Sequence, residues 1–149
     1  MVFYPAASIF AAGNRIIAKP SEFTPNTANI IKSAVEKYID KSEFAVVRGG
    51  PDIGEQFSSL PFDHLLYTGS GRVGKKVLSK TAENLVPTTM ELGGKSPTII
   101  SDSVNLKQAA ERIMFVKTLN SGQICLSPDY VFIKRGLEDK FLGLLRGAF

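Results

Sequence analysis

Residues 64–82 read HLLYTGSGRVGKKVLSKTA, and this stretch predicts the fold of the chain. Its first four residues predict a short strand that runs into a glycine-containing turn at 68–71. Beyond the turn, apolar residues recur at helical spacing. Residues 86–90 then predict a second strand, which ends at Glu91. Two strands separated by a helix are typical of a parallel sheet, because antiparallel neighbours need only a turn between them.

The same alternation extends to both sides of this stretch. Thr24 and Pro25 are typical of a helix start, with Thr24 as the cap and Pro25 in the first turn. The other predicted elements are strands at 15–18, 44–47, 98–100 and 130–133, helices at 25–39, 106–114 and 137–145, and at most a short helix at 52–60. The pattern therefore predicts an α/β fold.

Composition limits the functions that this chain of 149 residues can have. Hydrophobic residues make up 44% and charged residues 21%, which is typical of a globular chain with one compact core. The net charge of +4 comes from scattered basic residues, which argues against nucleic-acid binding. No apolar run reaches the roughly 18 residues of a membrane span, and no basic region precedes the apolar N-terminal stretch. We therefore expect a cytoplasmic protein that neither spans a membrane nor binds nucleic acid.

A breaker-rich segment, LGGKSP at 92–97, predicts a boundary between two folding units. Residues 1–93 form the predicted first domain and residues 94–149 the second. The second is too short to build a comfortable core of its own, so we expect it to be incomplete.

Aromatic residues at apolar-face positions are expected in the core. His64 opens a predicted strand and is expected to be structural or on the surface rather than catalytic. The aromatic residues expected in the core are Tyr4, Phe10, Phe115 and Phe141.

The sequence GSGRVG at 69–74 matches the G-x-G-x-x-G pattern between a predicted strand and a predicted helix. Glycines there let the backbone approach a phosphate, and the helix start adds N–H donors and a favourable dipole. The alternative is that these glycines only form a tight turn. If a dinucleotide binds, spacing alone makes Glu91, 20 residues after Gly71, the carboxylate that holds the adenine ribose.

Cys125 is the only cysteine of the chain, so it forms neither an internal disulfide nor a cysteine-based zinc site, and we predict no metal. It follows Gly122 and Gln123 in a predicted loop before a strand, where a thiol can be exposed. Two interpretations remain: a thiol that fills the core, or a nucleophile activated by a nearby base or helix terminus. Glu91 is a candidate for that base.

Four motifs, taken in order, resemble the NAD(P)-dependent aldehyde dehydrogenase superfamily. MELGGKSP at 90–97 is followed, 34 residues after Glu91, by GQIC at 122–125. Two further sets of residues are similar to cofactor-domain motifs of that family: AAGN at 11–14 with KPSE at 19–22, and YTGS at 67–70 with Val73 and Gly74. PFDH at 61–64 and SPDYV at 127–131 are most similar to the coniferyl aldehyde and class 3 branch. The resemblance implies a partial Rossmann-like cofactor domain joined to the start of a catalytic domain.

The resemblance implies an oxidoreductase in which Cys125 is the catalytic nucleophile. Cys125 would attack the aldehyde carbon to form a thiohemiacetal, which becomes a thioester when its hydride passes to the nicotinamide. Glu91 would then be the general base that activates water to release the carboxylate, instead of a ribose ligand. The expected substrate is a hydrophobic or aromatic aldehyde.

The resemblance also implies how the cofactor is held. Lys19 and Glu22 match the residues that hold the adenine ribose, and Ser70 matches the position that contacts the pyrophosphate. Either NAD or NADP can be the cofactor; NAD is favoured because the Glu22 carboxylate would repel a 2′-phosphate, and Lys19 beside it weakens that preference. The remaining cofactor-binding positions implied by the resemblance are Gly69, Gly74 and Leu92.

The chain also departs from the family pattern. It lacks the Pro-Trp-Asn segment, whose Asn supplies an oxyanion donor, and the downstream Glu-x-Phe-Gly-Pro motif. Full-length members are expected to be homodimers or homotetramers, but the interface elements are absent as well. The chain therefore resembles an internal fragment of an aldehyde dehydrogenase. The alternative to an active enzyme is a truncated, inactive chain that at most binds a dinucleotide weakly.

Overall fold

A computed structural model describes residues 2–149 of the chain, and its helices and strands alternate except where two strands follow each other at 88–92 and 96–99. The α/β fold predicted from the sequence is confirmed, and most of the predicted elements are present within a few residues of their expected bounds. The elements are α1 (Phe3–Ala11), β1 (Ile16–Ala18), α2 (Pro25–Tyr38), β2 (Phe44–Val46), α3 (Pro51–Ser58), β3 (Leu65–Gly69), α4 (Gly71–Ala82), β4 (Thr88–Leu92), β5 (Ser96–Ile99), α5 (Leu106–Thr118), a short 3₁₀ helix (Leu119–Gly122), β6 (Pro128–Phe132) and α6 (Glu138–Gly147).

The described residues divide into two compact units. The first comprises the described residues up to Tyr67 together with Arg72–Met90, and the second comprises Thr68–Gly71 with Glu91–Phe149. The assignment of residues 1–93 to a cofactor-binding domain and of residues 94–149 to a catalytic domain stays a prediction.

In the first unit, β1 and β2 are parallel, with Ile16 opposite Phe44. β3 pairs with β4, and residues 65–67 and 88–90 of these strands belong to this unit, where the Leu65 N–H donates to the Pro87 carbonyl at 3.0 Å. Helix and strand residues bury two apolar clusters here, because parallel strands need helices to cover their faces. The first cluster is Ala6, Ile16, Val35, Phe44 and Val46, and the second is Leu65, Val77 and Val86.

In the second unit, β5 and β6 are also parallel, as the long connection through α5 requires. Asn105 caps α5, since its side-chain oxygen accepts a hydrogen bond from the Gln108 N–H at 3.1 Å. The core of this unit consists of Ile100, Ala109, Ala110 and Phe141. Phe141 of α6 and the small residues Ala109 and Ala110 of α5 thus share one buried cluster.

Some expectations from the sequence are wrong. Helix α1 was not predicted, and of the four aromatic residues expected in the core only Phe141, 3% exposed, is buried. Tyr4 is 87% exposed, Phe115 is 69% exposed, and Phe10 lies partly exposed with its ring edge against Phe44. Tyr4 and Phe115 therefore lie on surfaces that the described residues leave uncovered.

Thr24 precedes α2, as expected for a cap, but its hydroxyl does not cap the helix and donates to the Ser21 carbonyl at 3.5 Å. Across residues 2–149, none of the helices combines the length and apolar character that crossing a membrane requires. The same residues hold no group of three or more side chains arranged to bind a metal ion.

Candidate active site

Cys125 lies at the tip of a β-turn between the 3₁₀ helix and β6. The turn spans 124–127 and is closed by a hydrogen bond from the Ser127 N–H to the Ile124 carbonyl at 3.0 Å. Cys125 and Leu126 occupy its two central positions, and both are exposed. The interpretation of Cys125 as a thiol that fills the core is therefore wrong for this chain.

The backbone that leads into this turn is strained. Asn120 and Ser121 have φ of 51° and 56°, and Gly122 has φ of 75°, so three consecutive residues are left-handed. The Asn120 side chain donates to the Gln123 carbonyl at 3.2 Å, and the Gln123 side chain donates to the Asn120 carbonyl at 3.4 Å. Non-glycine residues adopt this conformation rarely, Asn more readily than Ser, and such backbone concentrates at functional sites.

Ser96 and Lys95 connect the start of β5 to the cysteine turn and to β6. The Ser96 hydroxyl donates to the Cys125 carbonyl at 3.3 Å. The Lys95 ammonium pairs with the Asp129 carboxylate at 3.1 Å. The Ser127 hydroxyl, in contrast, is buried and has no hydrogen-bond partner within residues 2–149. These residues belong to the motifs found in the sequence, but no individual role was predicted for any of them.

Glu91 is the penultimate residue of β4 and is exposed, and Leu92 follows it. Glu91, Leu92 and Cys125 all belong to the second unit. An exposed carboxylate and an exposed thiol supply one base and one nucleophile, which is the minimum set for covalent catalysis. The roles of these residues stay predictions at this point.

Lys19 and Glu22 follow directly after β1 in the first unit. The Lys19 ammonium is 3.2 Å from a Glu22 carboxylate oxygen and also donates to the Pro20 carbonyl at 3.2 Å. The Lys19 side chain is only 12% exposed, so it is not freely solvated as an ordinary surface lysine would be. A hydrogen bond from its own backbone N–H, together with Lys19, holds the pKa of Glu22 below its usual value.

Gly69 ends β3, Ser70 follows, and α4 begins at Gly71. A strand that enters a helix through so short a turn is the geometry of many phosphate-binding sites. Gly74 is buried in α4. The glycine pattern thus lies in the strand-turn-helix context that it predicts, while phosphate binding itself stays a prediction.

His64 is exposed, and its Nε2 shares a hydrogen bond with the Thr89 hydroxyl at 2.9 Å. This bond joins the residue before β3 to β4. The contact agrees with the structural or surface role expected for His64.

Comparison with known proteins identifies the family. The family model described as aldehyde dehydrogenase matches residues 1–149. The protein named probable coniferyl aldehyde dehydrogenase in Caulobacter vibrioides is 54% identical over 131 residues, which cover 88% of this chain and 27% of that protein.

Two solved structures are also similar. The substrate-bound state of the Staphylococcus aureus protein AldH matches with a TM-score of 0.91 and 42% identity, covering 98% of this chain and 32% of that one. A mutant of aldehyde dehydrogenase C from Pseudomonas syringae, in complex with NAD⁺ and octanal, matches with a TM-score of 0.85 and 28% identity. That match covers 93% of this chain and 29% of the other.

The chain therefore spans about a third or less of the length of these relatives, which is consistent with a fragment. The similarity to a coniferyl aldehyde dehydrogenase agrees with the branch that the motifs resemble. Because the family model matches from the first residue to the last, the chain belongs to the aldehyde dehydrogenase family.

Proposed function

We propose that this chain supplies the nucleophile and the general base of an NAD(P)-dependent dehydrogenase that oxidises a hydrophobic or aromatic aldehyde to its carboxylate. One observation carries the proposal: Cys125 is exposed at the tip of a β-turn, and its backbone carbonyl is held by Ser96 at 3.3 Å. Family membership supports the reaction type.

In the proposed reaction, the Cys125 sulfur attacks the aldehyde carbon as a thiolate, and the carbonyl oxygen takes up the negative charge. When bound, the nicotinamide cofactor accepts the hydride that leaves this carbon. Cys125 then carries the acyl group as a thioester. Glu91 removes a proton from water as the water oxygen adds to the thioester carbon. Collapse of this adduct breaks the C–S bond and releases the Cys125 thiolate and the carboxylic acid, which loses its remaining proton to solvent to give the carboxylate. Glu91 also returns its proton to solvent.

The residues present fit a nicotinamide dinucleotide. Lys19 and Glu22 offer a donor and an acceptor beyond the carboxyl end of β1, which is where α/β folds hold their ligands. The Glu22 carboxylate, whose pKa is held below its ordinary value, would repel a 2′-phosphate, so we propose NAD as the preferred cofactor. In the same proposal Gly69, Ser70 and Gly74, around the start of α4, would hold the pyrophosphate, and Leu92 is a further cofactor-binding position.

The substrate class is proposed from two observations. The similar protein of Caulobacter vibrioides carries the name of a coniferyl aldehyde dehydrogenase, and Leu126 presents an exposed apolar side chain directly beside Cys125. An apolar surface next to the nucleophile favours an apolar or aromatic aldehyde. For the whole protein, assembly as a homodimer or homotetramer and a cytoplasmic location remain proposals.

The test is turnover by the purified chain with NAD⁺ and an aromatic aldehyde, followed through the absorbance of the reduced cofactor. We expect Cys125→Ala to abolish turnover, because the sulfur forms the covalent intermediate. Ser103→Ala, which removes an exposed hydroxyl from the same unit, is the matched control and should retain it. Turnover that survives in Cys125→Ala would contradict the mechanism. No turnover even at high protein concentration would favour the alternative of an inactive chain that at most binds a dinucleotide.

A further inference from the structure

Two side-chain contacts join the amino end of β5 to the segment that carries Cys125. One runs from Ser96 to the Cys125 carbonyl, and the other joins Lys95 to Asp129. We infer that Ser96 and the Lys95–Asp129 pair are positioning residues that hold the Cys125 turn so that its thiol keeps one orientation. The inference rests on the proposed role of Cys125 as the nucleophile.

The Ser96 contact uses a group that the turn itself leaves unpaired. The closing bond of the 124–127 turn occupies the Ile124 carbonyl and the Ser127 N–H, and the carbonyl of Cys125 takes no part in it. The Ser96 hydroxyl supplies the donor at 3.3 Å. Because Ser96 is the first residue of β5, the peptide next to the thiol is tied to a hydrogen-bonded strand instead of to another loop.

The Lys95–Asp129 pair depends on an irregularity in the strand register. Ser96 is opposite Pro128 and Pro97 is opposite Tyr130, so the register of the described strands skips Asp129. A bulge of this kind redirects the side chain of the extra residue. The redirected Asp129 carboxylate meets the Lys95 ammonium at 3.1 Å.

Stability alone does not account for this pair. Lys95 is largely exposed and Asp129 is one-third exposed, and exposed ion pairs contribute little to the free energy of unfolding. The inferred role of the pair is instead to restrict the movement of the turn, which is tied upstream by the bonds between Asn120 and Gln123, and downstream by Asp129. Ser96 holds the segment between these two points.

The first experiment measures how fast Cys125 is acylated by para-nitrophenyl acetate, through the release of nitrophenolate and without any cofactor. The thiolate forms a bond to the acetyl carbon and nitrophenolate leaves, so the rate above the Cys125→Ala background reports the thiol. We expect Ser96→Ala to slow acylation about 3- to 10-fold, the range of one lost hydrogen bond. Ser96→Thr keeps the hydroxyl and should restore the rate, and Cys125→Ala gives the background.

The second experiment exchanges the charges of the ion pair. Lys95→Asp and Asp129→Lys each place like charges together and should slow acylation about twofold to fivefold, whereas the double variant should recover the rate. The Asp102–Lys134 pair, also 3.1 Å long, joins the segments that follow β5 and β6, so its exchange is the matched control. Exchanging that pair should leave the acylation rate unchanged.

Hydrogen exchange separates positioning from general destabilisation. In Ser96→Ala, the amides of Gln123 and Ser127 should exchange faster, while those of the β1–β2 pair keep their rates. Any of three results would overturn the inference. The first is faster exchange throughout the chain, and the second is an unchanged acylation rate. The third is failure of Ser96→Thr and of the double variant to recover that rate. Failure of the proposed function is seen separately, as NAD⁺-dependent turnover that survives in Cys125→Ala.

Discussion

The two ends of the β5–β6 strand pair are built differently. At the carboxyl end, Asp102 and Lys134 form an exposed ion pair of 3.1 Å. At the amino end, Lys95 and Asp129 form an ion pair of the same length. The neighbouring backbone, however, contains a bulge and three left-handed residues, and an exposed thiol lies beside them. The carboxyl end of the strand pair is therefore the regular end, and the amino end is the irregular end.

The difference between the two ends shows where the backbone adopts conformations that lower the stability of the fold. Left-handed non-glycine residues cost on the order of 1 kcal/mol each, and a buried hydroxyl without a partner costs a similar amount. Both features occur at the amino end, around Asn120, Ser121 and Ser127. Sequences depart from local preferences mainly at functional sites, so the irregular end is the better candidate for chemistry.

The largest effect is expected from replacing Glu91, the proposed base of the candidate site. Glu91→Gln should lower turnover by about 100-fold to 10,000-fold and leave cofactor affinity unchanged, because the amide cannot accept the proton from water. Turnover and the dissociation constant of NAD⁺ are measured on the same preparations. Asp102→Asn, at the regular end, is the matched control and should change neither.

A different outcome would change the assignment of Glu91. A large loss of NAD⁺ affinity in Glu91→Gln, with turnover at saturating cofactor largely retained, would make Glu91 a ribose ligand. That is the role that its spacing of 20 residues from Gly71 predicts without the family resemblance.

Much of the fold could be predicted from the sequence, because the elements carry local signals. The strand-turn-helix stretch at 64–82 shows apolar periodicity and glycines, and it forms β3 and α4 as predicted. Helix α1 was missed because its sequence, FYPAASIFA, is apolar almost throughout and shows no polar face. Pro5, in its first turn, was the available signal.

The candidate site could be predicted only in part. The motifs around Glu91 and Cys125 single out these two residues, but nothing local indicates that Ser96 meets the Cys125 carbonyl. That contact depends on the register of two strands about 30 residues apart in sequence, and a bulge shifts this register. The left-handed backbone had a weak signal in Asn120-Ser121-Gly122, because Asn and Gly tolerate that conformation best.

A smaller effect is expected from two glycines with positive φ in the second unit, one at each end of the strand pair. Gly122 has φ of 75°, and an added Cβ would lie 3.1 Å from the Lys117 carbonyl oxygen, whereas Gly136 has φ of 89° and open space around it. Gly136→Ala should lower the free energy of unfolding by about 1 kcal/mol, the cost of the backbone conformation. Gly122→Ala should cost more, about 2 kcal/mol, because the methyl group also meets the carbonyl.

Chemical denaturation of both variants measures this difference. Equal losses for Gly122→Ala and Gly136→Ala would show that the Lys117 carbonyl moves aside easily, and that the irregular end is more adaptable than its bonding suggests. A larger loss at Gly136 would reverse the contrast between the two ends.

The smallest expected effect concerns the buried Ser127 hydroxyl, which lacks a partner within residues 2–149. Ser127→Ala removes an unpaired polar group and leaves the apolar packing in place, so the free energy of unfolding should stay unchanged or rise by about 1 kcal/mol. Thr81 is the matched control, because its buried hydroxyl donates to the Leu78 carbonyl at 3.0 Å, and Thr81→Val should lower the free energy by about 1 kcal/mol. A loss of stability in Ser127→Ala as large as that in Thr81→Val would mean that the Ser127 hydroxyl is paired in solution. The irregular end would then lack one of the features that set it apart from the regular end.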